Sequence, residues 1–309
     1  MDSKKTFKIL SIDGGGIRGV YSAHILKRIE EEFDLKLHDY FDLIAGTSTG
    51  SIIAGGIACN IPIQEIENLY IEKGNDIFTK RKNRLIPFLP CLGAFISTYS
   101  ANPLKKILDE KFSDKKLKDV DKKLIIPSTD VYNGDVFIAK SNYHKDFVRD
   151  LNIKVADAIL GSCSAPMYFD PHPVGSYLLA DGGLWANNPS LIAMIDAIKR
   201  CDETLTNIKI LSIGTGLYKP EFKSSKKWGI WNGWKHKKLI DLIFSLQSQS
   251  AHNYLSLLLE KEQIKRINYE SEVEQTLDDC SHIDKLISKA DLHFTKNADE
   301  LKSFLEIKD

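Results

Sequence analysis

The stretch Phe41-Asp42-Leu43-Ile44-Ala45-Gly46-Thr47-Ser48-Thr49-Gly50 constrains the chain more than any other, because a short apolar run stops at a serine with a glycine two residues away on each side. A G-x-S-x-G turn between a strand and a helix forces its serine into a strained backbone conformation, and only glycine-sized neighbours let strand and helix approach closely. The hydroxyl is then held out at the end of a sheet. The following Ser51-Ile52-Ile53-Ala54-Gly55-Gly56-Ile57-Ala58 is small and apolar, as expected of a helix pressed on a sheet with its positive end near the serine oxygen. Ser48 is therefore the candidate nucleophile, flanked by Gly46 and Gly50. The bare pattern also arises by chance, so its weight depends on the rest of the chain.

Earlier in the chain, Phe7 to Ile12 reads as a strand that leads into Asp13-Gly14-Gly15-Gly16-Ile17-Arg18-Gly19 and then into a helix through about Phe33. Gly14, Gly16 and Gly19 satisfy G-x-G-x-x-G, the fingerprint of a dinucleotide-binding loop, which makes a nucleotide-binding module one reading. The next strand should then end in an acid that binds a ribose, and it ends in Gly-Thr-Ser-Thr-Gly instead. The other reading has the amides of Gly15 and Gly16, unobstructed by side chains, form an oxyanion hole beside Ser48. An alanine at either position would then place a methyl group against the incoming carbonyl, or shift the amides away from the developing oxyanion.

A base must accompany the serine. Tyr177 to Ala180 is a short strand delivering Asp181-Gly182-Gly183, and Asn187-Asn188-Pro189 opens the next helix. Asp181 could take the serine proton directly, as half of a Ser-Asp dyad. Such a base is intrinsically weak, so the oxyanion hole must carry much of the stabilisation. The alternative is a Ser-His-Asp triad of the α/β-hydrolase type, for which the chain offers His24, His38, His144, His172, His236, His252, His282 and His293, none in a recognisable strand-end motif.

Other segments frame these motifs. Ile63 to about Ile77 reads as an amphipathic helix, and Phe78 to Tyr99 as a surface loop or lid. Leu124–Val131 and Val136–Ala139 are strands joined at Asn133-Gly134, and Val155–Cys163 is a small-residue helix ended by Ala165-Pro166. Ile208–Ile213 is a buried strand whose Gly214-Thr215-Gly216 exit reads as close packing. Leu239 to about Glu260 is helical, Ile264–Tyr269 strand-like, and Ile283–Leu305 one or two charged amphipathic helices.

Composition narrows the classes further. A chain of 309 residues, 43% hydrophobic and 27% charged, suits one large core, and 42 basic against 42 acidic residues leave no global attraction to a nucleic acid polymer. Five scattered cysteines without C-x-x-C pairs argue against a zinc site or a disulfide framework, and fit a reducing cytosol. The dyad chemistry calls for no metal or other cofactor. No apolar run is long enough to span a bilayer, so any membrane contact is expected to be peripheral. One local exception to the charge balance is Lys226–Lys238, where bases alternate with Trp228, Trp231 and Trp234. Indoles and lysines suit an anionic membrane surface, tryptophans covering an open side of the core is the plainer alternative, and a regulatory site is a third reading.

Taken together, Asp13-Gly14-Gly15-Gly16-Ile17-Arg18-Gly19, Gly46-Thr47-Ser48-Thr49-Gly50 and Asp181-Gly182-Gly183 resemble, in order, the oxyanion loop, nucleophile elbow and Asp-Gly-Gly/Ala motif of patatin-like phospholipases. Ser164-Ala165-Pro166 and Asn187-Asn188-Pro189 are similar to that family too, and the resemblance runs from about Phe7 to Gly216. It implies an α/β fold, a three-layer α/β/α sandwich with a mainly parallel central sheet. It also implies Ser48 as nucleophile, Asp181 as base, Gly15 and Gly16 as oxyanion donors, and hydrolysis of acyl esters of membrane glycerophospholipids. Asp13, Gly14, Arg18, Gly19, Gly182 and Gly183 are expected to support the motifs; Arg18 either steadies the loop, meets a lipid phosphate or stands on a solvated helix face, and Asp13 either accepts backbone amides or merely forms the turn. The expected organisation is a single catalytic domain over 1–309, with a motif-bearing core of about 7–216 and a C-terminal helical extension, 217–309. Some bacterial members of the family are switched on by cyclic nucleotide second messengers in anti-phage defence, and the compact size and C-terminal extension are compatible with that branch. Action at the cytoplasmic face of the inner membrane follows from the same resemblance.

Overall fold

Apolar residues at every position of a strand mean that both faces of its sheet are covered, and four segments of this chain have that character. In the computed structural model, which describes residues 5–81, 97–218, 234, 236–271 and 275–307, they lie side by side. In chain order the elements are β1 (Phe7–Ile12), α1 (Gly19–Phe33), α2 (Leu37–Tyr40), β2 (Leu43–Gly46), α3 (Thr49–Ala58), α4 (Ile63–Ile77) and α5 (Asn102–Phe112). There follow β3 (Lys123–Asp130), β4 (Asp135–Lys140), α6 (Val155–Ser162), β5 (His172–Val174), β6 (Tyr177–Asp181), α7 (Gly183–Ala186) and α8 (Ser190–Arg200). The chain continues through β7 (Ile208–Ile213), β8 (Leu217–Tyr218), α9 (His236–Leu258), β9 (Ile264–Ile267), β10 (Glu270–Ser271) and α10 (Ile283–Phe304).

The main sheet has eight strands in the order β5-β6-β3-β2-β1-β7-β9, with β4 also paired to β3. From β9 through β3 neighbouring strands run parallel, while β4, β6 and β5 add antiparallel pairs at the far side. Alternation sorts the side chains into two layers. Ile9, Leu43, Ala45, Ile125 and Ile210 enter one core, which α8 and the end of α9 cover through Ala193, Met194, Ala197 and Leu255. Leu10, Ile12, Ile44, Leu124, Ile126, Leu211 and Ile213 enter the other, under α1, α3, α4, α5, α6 and α10. The result is the expected three-layer α/β/α sandwich.

Residues after 217 add more than helices. β9 pairs with β7 in register from Ile210↔Ile264 to Ile213↔Ile267, so the C-terminal part supplies an edge strand of the central sheet. Ile283–Phe304 is one continuous helix, which packs on α1. Among the described residues no helix is long and apolar enough to cross a membrane. The Lys226–Lys238 stretch lies outside the described residues except for 234 and 236–238, as do 82–96 of the expected surface loop.

The topology fixes where chemistry can sit. β1 is central, with Ile12 paired to Gly46 of β2 on one side and Ile213 of β7 on the other. The segments that leave these three strand ends, the glycine loop, the serine turn and Gly214-Thr215-Gly216, therefore emerge side by side, the usual place for a site in an open α/β sheet.

Candidate active site

Ser48 sits between β2 and α3 with φ 52° and ψ −126°, a strained conformation for a residue with a side chain. The flanking glycines have the reason the sequence suggested. A Cβ at Gly46 would lie 2.1 Å from the Gly50 carbonyl oxygen, and one at Gly50 2.3 Å from that of Ile12. Hydrogen bonds then lock the turn. Ser51 Oγ donates to the Ser48 carbonyl at 2.6 Å and Thr47 Oγ1 to the Ala186 carbonyl at 2.7 Å. The Ser48 amide donates to Ser162 Oγ at 2.9 Å, and Ser162 Oγ donates in turn to the Pro127 carbonyl at 2.6 Å. Ser162 was legible in the sequence only as part of a small-residue helix, because its partners lie far away in the chain.

Asp181 ends β6, opposite Ser128 of β3, and is fully buried. Its Oδ1 accepts the Gly183 amide at 2.7 Å, while Oδ2 accepts no hydrogen bond of good geometry among the described residues. Burial pushes the carboxyl up to about 7; the Gly183 amide and the Ser48 hydroxyl beside it act the other way, favouring the anion. A carboxylate that looked too weak a base on paper is thus poised near neutrality. Gly182 is required by space, since a Cβ there would stand 2.3 Å from the Pro127 carbonyl oxygen.

The glycine loop presents its amides selectively. Gly14 N–H donates to the Asn187 carbonyl at 3.1 Å, Ile17 N–H to Leu277 at 2.8 Å and Arg18 N–H to Gly15 at 3.2 Å. Between them, the amides of Gly15 and Gly16 have no partner among the described residues. Their carbonyl neighbours are held from behind. Thr215 Oγ1 donates to the Gly14 carbonyl at 2.6 Å with Asn187 Nδ2 at 3.4 Å, and Arg18 Nε donates to the Gly15 carbonyl at 3.1 Å. In a trans peptide C=O and N–H point oppositely, so these bonds turn the Gly15 and Gly16 N–H groups away from the Thr215 side. Gly16 has φ 58°, and Gly16 and Ser48 line the same narrow apolar slot, with Ile52, Ile77, Phe78 and Phe169 further along it.

Several supporting residues differ from expectation. Arg18 is not on a solvated face: it is 9% exposed and steadies the loop. Asp13 accepts no backbone amide among the described residues; its carboxylate takes Arg266 Nη2 at 2.6 Å and Ser248 Oγ at 3.0 Å. Gly19 lets α1 approach α3, because a Cβ there would lie 2.3 Å from Thr49 Oγ1. An alanine in the loop would meet protein rather than substrate, with Cβ 2.1 Å from Thr215 Oγ1 at Gly15 and 2.2 Å from the Leu277 carbonyl oxygen at Gly16. Thr215, read from the sequence as close packing, is a hydrogen-bonding partner of the loop.

Histidines stand elsewhere. His24 lies between Glu67 and Asp291, His172 bonds Asp157, His293 bonds Tyr21 and His38 bonds the Ile57 carbonyl. No described histidine lines the slot at Ser48.

A serine on a strained strand-to-helix turn, a buried carboxyl and two open amides at one edge of an α/β/α sandwich define a serine ester hydrolase. The patatin-like phospholipase family profile matches residues 10–194, and a cGAMP-activated phospholipase of Escherichia coli (strain TW11681) is 33% identical over 82% of this chain and 76% of its own. The chain belongs to the patatin-like phospholipase family, and it is a hydrolase acting on lipid esters. A cUMP-AMP-activated phospholipase of Escherichia coli is 30% identical over 81% of this chain and 77% of that protein. Among solved structures, VipD from Legionella pneumophila is similar with a TM-score of 0.48 and 12% identity, covering 94% of this chain and 68% of that one.

Proposed function

We propose that Ser48 and Asp181 form a catalytic dyad that cleaves acyl esters of membrane glycerophospholipids, with Gly15 and Gly16 as the oxyanion donors. The observation that carries this reading is the pattern of amide use: within one loop every neighbouring amide is engaged, and the two without a partner among the described residues, Gly15 and Gly16, belong to the loop beside Ser48. Asp181 takes the Ser48 proton as the hydroxyl attacks the ester carbonyl, and the tetrahedral oxyanion is received by the two N–H groups. Asp181 then returns the proton to the departing alcohol, a lysophospholipid, and in a second round activates the water that releases the fatty acid. The apolar slot holds the acyl chain. Asp13, Gly14, Arg18, Gly19, Gly46, Gly50, Gly182 and Gly183 set the backbone geometry around this chemistry. The chain acts as a single domain on the surface of a phospholipid membrane.

The names of the bacterial relatives support a cyclic nucleotide activator, in keeping with a role in anti-phage defence. The test is hydrolysis of glycerophospholipid vesicles, with products identified by mass, by the wild type and by Ser48→Ala, each with and without cGAMP and cUMP-AMP. Release of fatty acid by the wild type alone, raised by one of the nucleotides, is expected. Equal release by Ser48→Ala would refute the dyad, and release indifferent to both nucleotides would refute activation by them.

A further inference from the structure

Behind the glycine loop, on the side away from the apolar slot, lies a second and more polar cavity of about 340 Å³ between α9, the ends of β7 and β9, and the loop itself. Its lining includes Arg18, whose guanidinium is buried and bonds only the Gly15 and Gln275 carbonyls, with no carboxylate paired to it among the described residues. A cation removed from water without a counter-charge is costly. The cavity's other arginine, Arg266, is already matched to Asp13. Arg18 thus stands as a site for an anion, and a guanidinium suits a phosphate oxygen.

The rest of the lining narrows the class. Asp241 and Glu270 also face this space, so a bare inorganic anion would meet carboxylates. A phosphate ester that also carries hydrogen-bonding groups suits this lining better than a bare anion. His252 Nδ1, buried at the same cavity, has no hydrogen-bond partner among the described residues and accepts or donates to such a ligand. Asn268 and Gln249 add amide groups able to do either.

We infer that this cavity is the receptor for a phosphate ester bearing hydrogen-bond donors, with Arg18 taking the phosphate, and that its occupancy sets the position of the oxyanion amides. The inference rests on the dyad reading above and adds the place and means of its regulation. The coupling is short. Arg18 Nε, Thr215 Oγ1 and Asn187 Nδ2, all cavity-lining residues, hold the carbonyls of Gly15 and Gly14. Those carbonyls share peptide units with the N–H groups of Gly16 and Gly15. A phosphate that draws the guanidinium therefore turns the Gly15–Gly16 peptide, and with it a donor on the opposite side. Ser248, bridging Asn187 and Asp13 from α9, gives the helix the same hold.

Two sources can supply the phosphate, a cyclic nucleotide or the headgroup of the lipid substrate, and the experiment separates them. Calorimetry on the Ser48→Ala protein, with no lipid present, measures binding of cGAMP and of cUMP-AMP, alone and with Arg18→Gln or Asn253→Trp added. Asn253 is an exposed cavity-rim residue of α9, so Asn253→Trp blocks the space even if Arg18→Gln fails to fold; melting midpoints report folding. In parallel, KM is measured on the Ser48 protein for dihexanoyl phosphatidylglycerol and for dihexanoylglycerol, which lacks phosphate. Nucleotide binding weakened at least tenfold by both variants supports the cavity as a nucleotide receptor. No nucleotide binding, with KM raised at least tenfold by both variants for the phosphorylated ester alone, assigns the site to the lipid headgroup. Binding and both KM values unmoved in folded variants would overturn the inference. Because binding is read on an enzyme without its serine, failure of the dyad would show separately, as ester hydrolysis that survives Ser48→Ala.

Discussion

Ser162 Oγ accepts the backbone amide of Ser48 at 2.9 Å, from a helix 114 positions further along the chain. The strained turn is thereby held by a side chain that itself takes no part in the proposed chemistry. Ser162→Ala leaves a buried N–H and the Pro127 carbonyl without their partner, and should lower stability by about 1–3 kcal/mol. Turnover of a soluble ester should fall with it. Ser162→Thr, which keeps the hydroxyl, should recover part of both. Denaturant midpoints and initial rates on the three proteins check this, and an unshifted midpoint in Ser162→Ala would remove Ser162 from the account.

The buried carboxyl of Asp181 makes a prediction in pH. With its folded pKa raised to about 7 from 3.8, kcat/KM on a soluble ester should climb from pH 5 and level off above about 7, as the base loses its proton. The stability contribution has the opposite slope. A raised folded pKa means that the folded state holds this proton while the unfolded chain has released it, so the contribution is full below the unfolded pKa and is lost as pH rises through the folded one. Asp181→Asn cannot ionise. Its melting temperature relative to the wild type should therefore rise between pH 4 and 7 and then stay constant, while its esterase activity is nearly absent. A constant difference across this range would mean that the carboxyl is not held neutral.

For the glycine loop, both Gly15→Ala and Gly16→Ala should reduce kcat by roughly a hundredfold, the scale of a lost oxyanion donor. Both should also melt early, since each methyl meets Thr215 or Leu277, and Gly16 adds a positive φ. Thr215→Gly in the Gly15→Ala background removes the obstacle and should restore melting more than turnover. Full stability of Gly16→Ala would show that the loop has room the structure denies it.

Thr215→Val keeps the shape of the side chain and deletes its donor to the Gly14 carbonyl. A loss of about tenfold in kcat with KM little changed is expected, because the bond acts on the placement of a transition-state donor rather than on substrate binding. Thr215→Ser should return to near wild-type rates. A change confined to KM would place Thr215 in substrate binding instead.

Replacement of His252 or His172 by alanine should leave Ser48-dependent hydrolysis of a soluble ester within a fewfold of wild type. His24→Ala breaks the ion cluster with Glu67 and Asp291 and should act on melting rather than on chemistry. Loss of activity in a folded histidine variant, equal to that of Ser48→Ala, would restore the triad.

What the sequence made legible was whatever local rules determine. Alternating and continuous apolar runs marked β1, β2, β3 and β7, Asn133-Gly134 marked the β3–β4 turn, and Asp181 announced itself by standing at a strand end before two glycines. The positions of Arg266, Ser162 and Thr215 were not legible. Each acts on a residue more than a hundred positions away, and a lone arginine, serine or threonine carries no periodicity. Arg18 was ambiguous for another reason: helical spacing gives it a direction, but only the packing of residues near 275 against the loop decides whether that direction meets water. The histidines show the converse, since their number invited a triad and their surroundings gave His24, His38, His172 and His293 other partners.

The pairing of Ile12 with both Gly46 and Ile213 has a consequence for how such a protein can diverge. The spacing between the serine turn and the open amides is written first into a backbone ladder, and side chains such as Thr215 and Ser162 then hold it. Surface segments around the slot can be exchanged, shortened or grafted from a relative without moving the reacting groups apart. A single residue inserted into β1 is another matter, for it would throw every later side chain of the strand into the opposite layer and carry the glycine loop past its neighbours. Within the six residues Phe7–Ile12, intolerance to changes of strand length should therefore add to the ordinary cost of altering buried side chains.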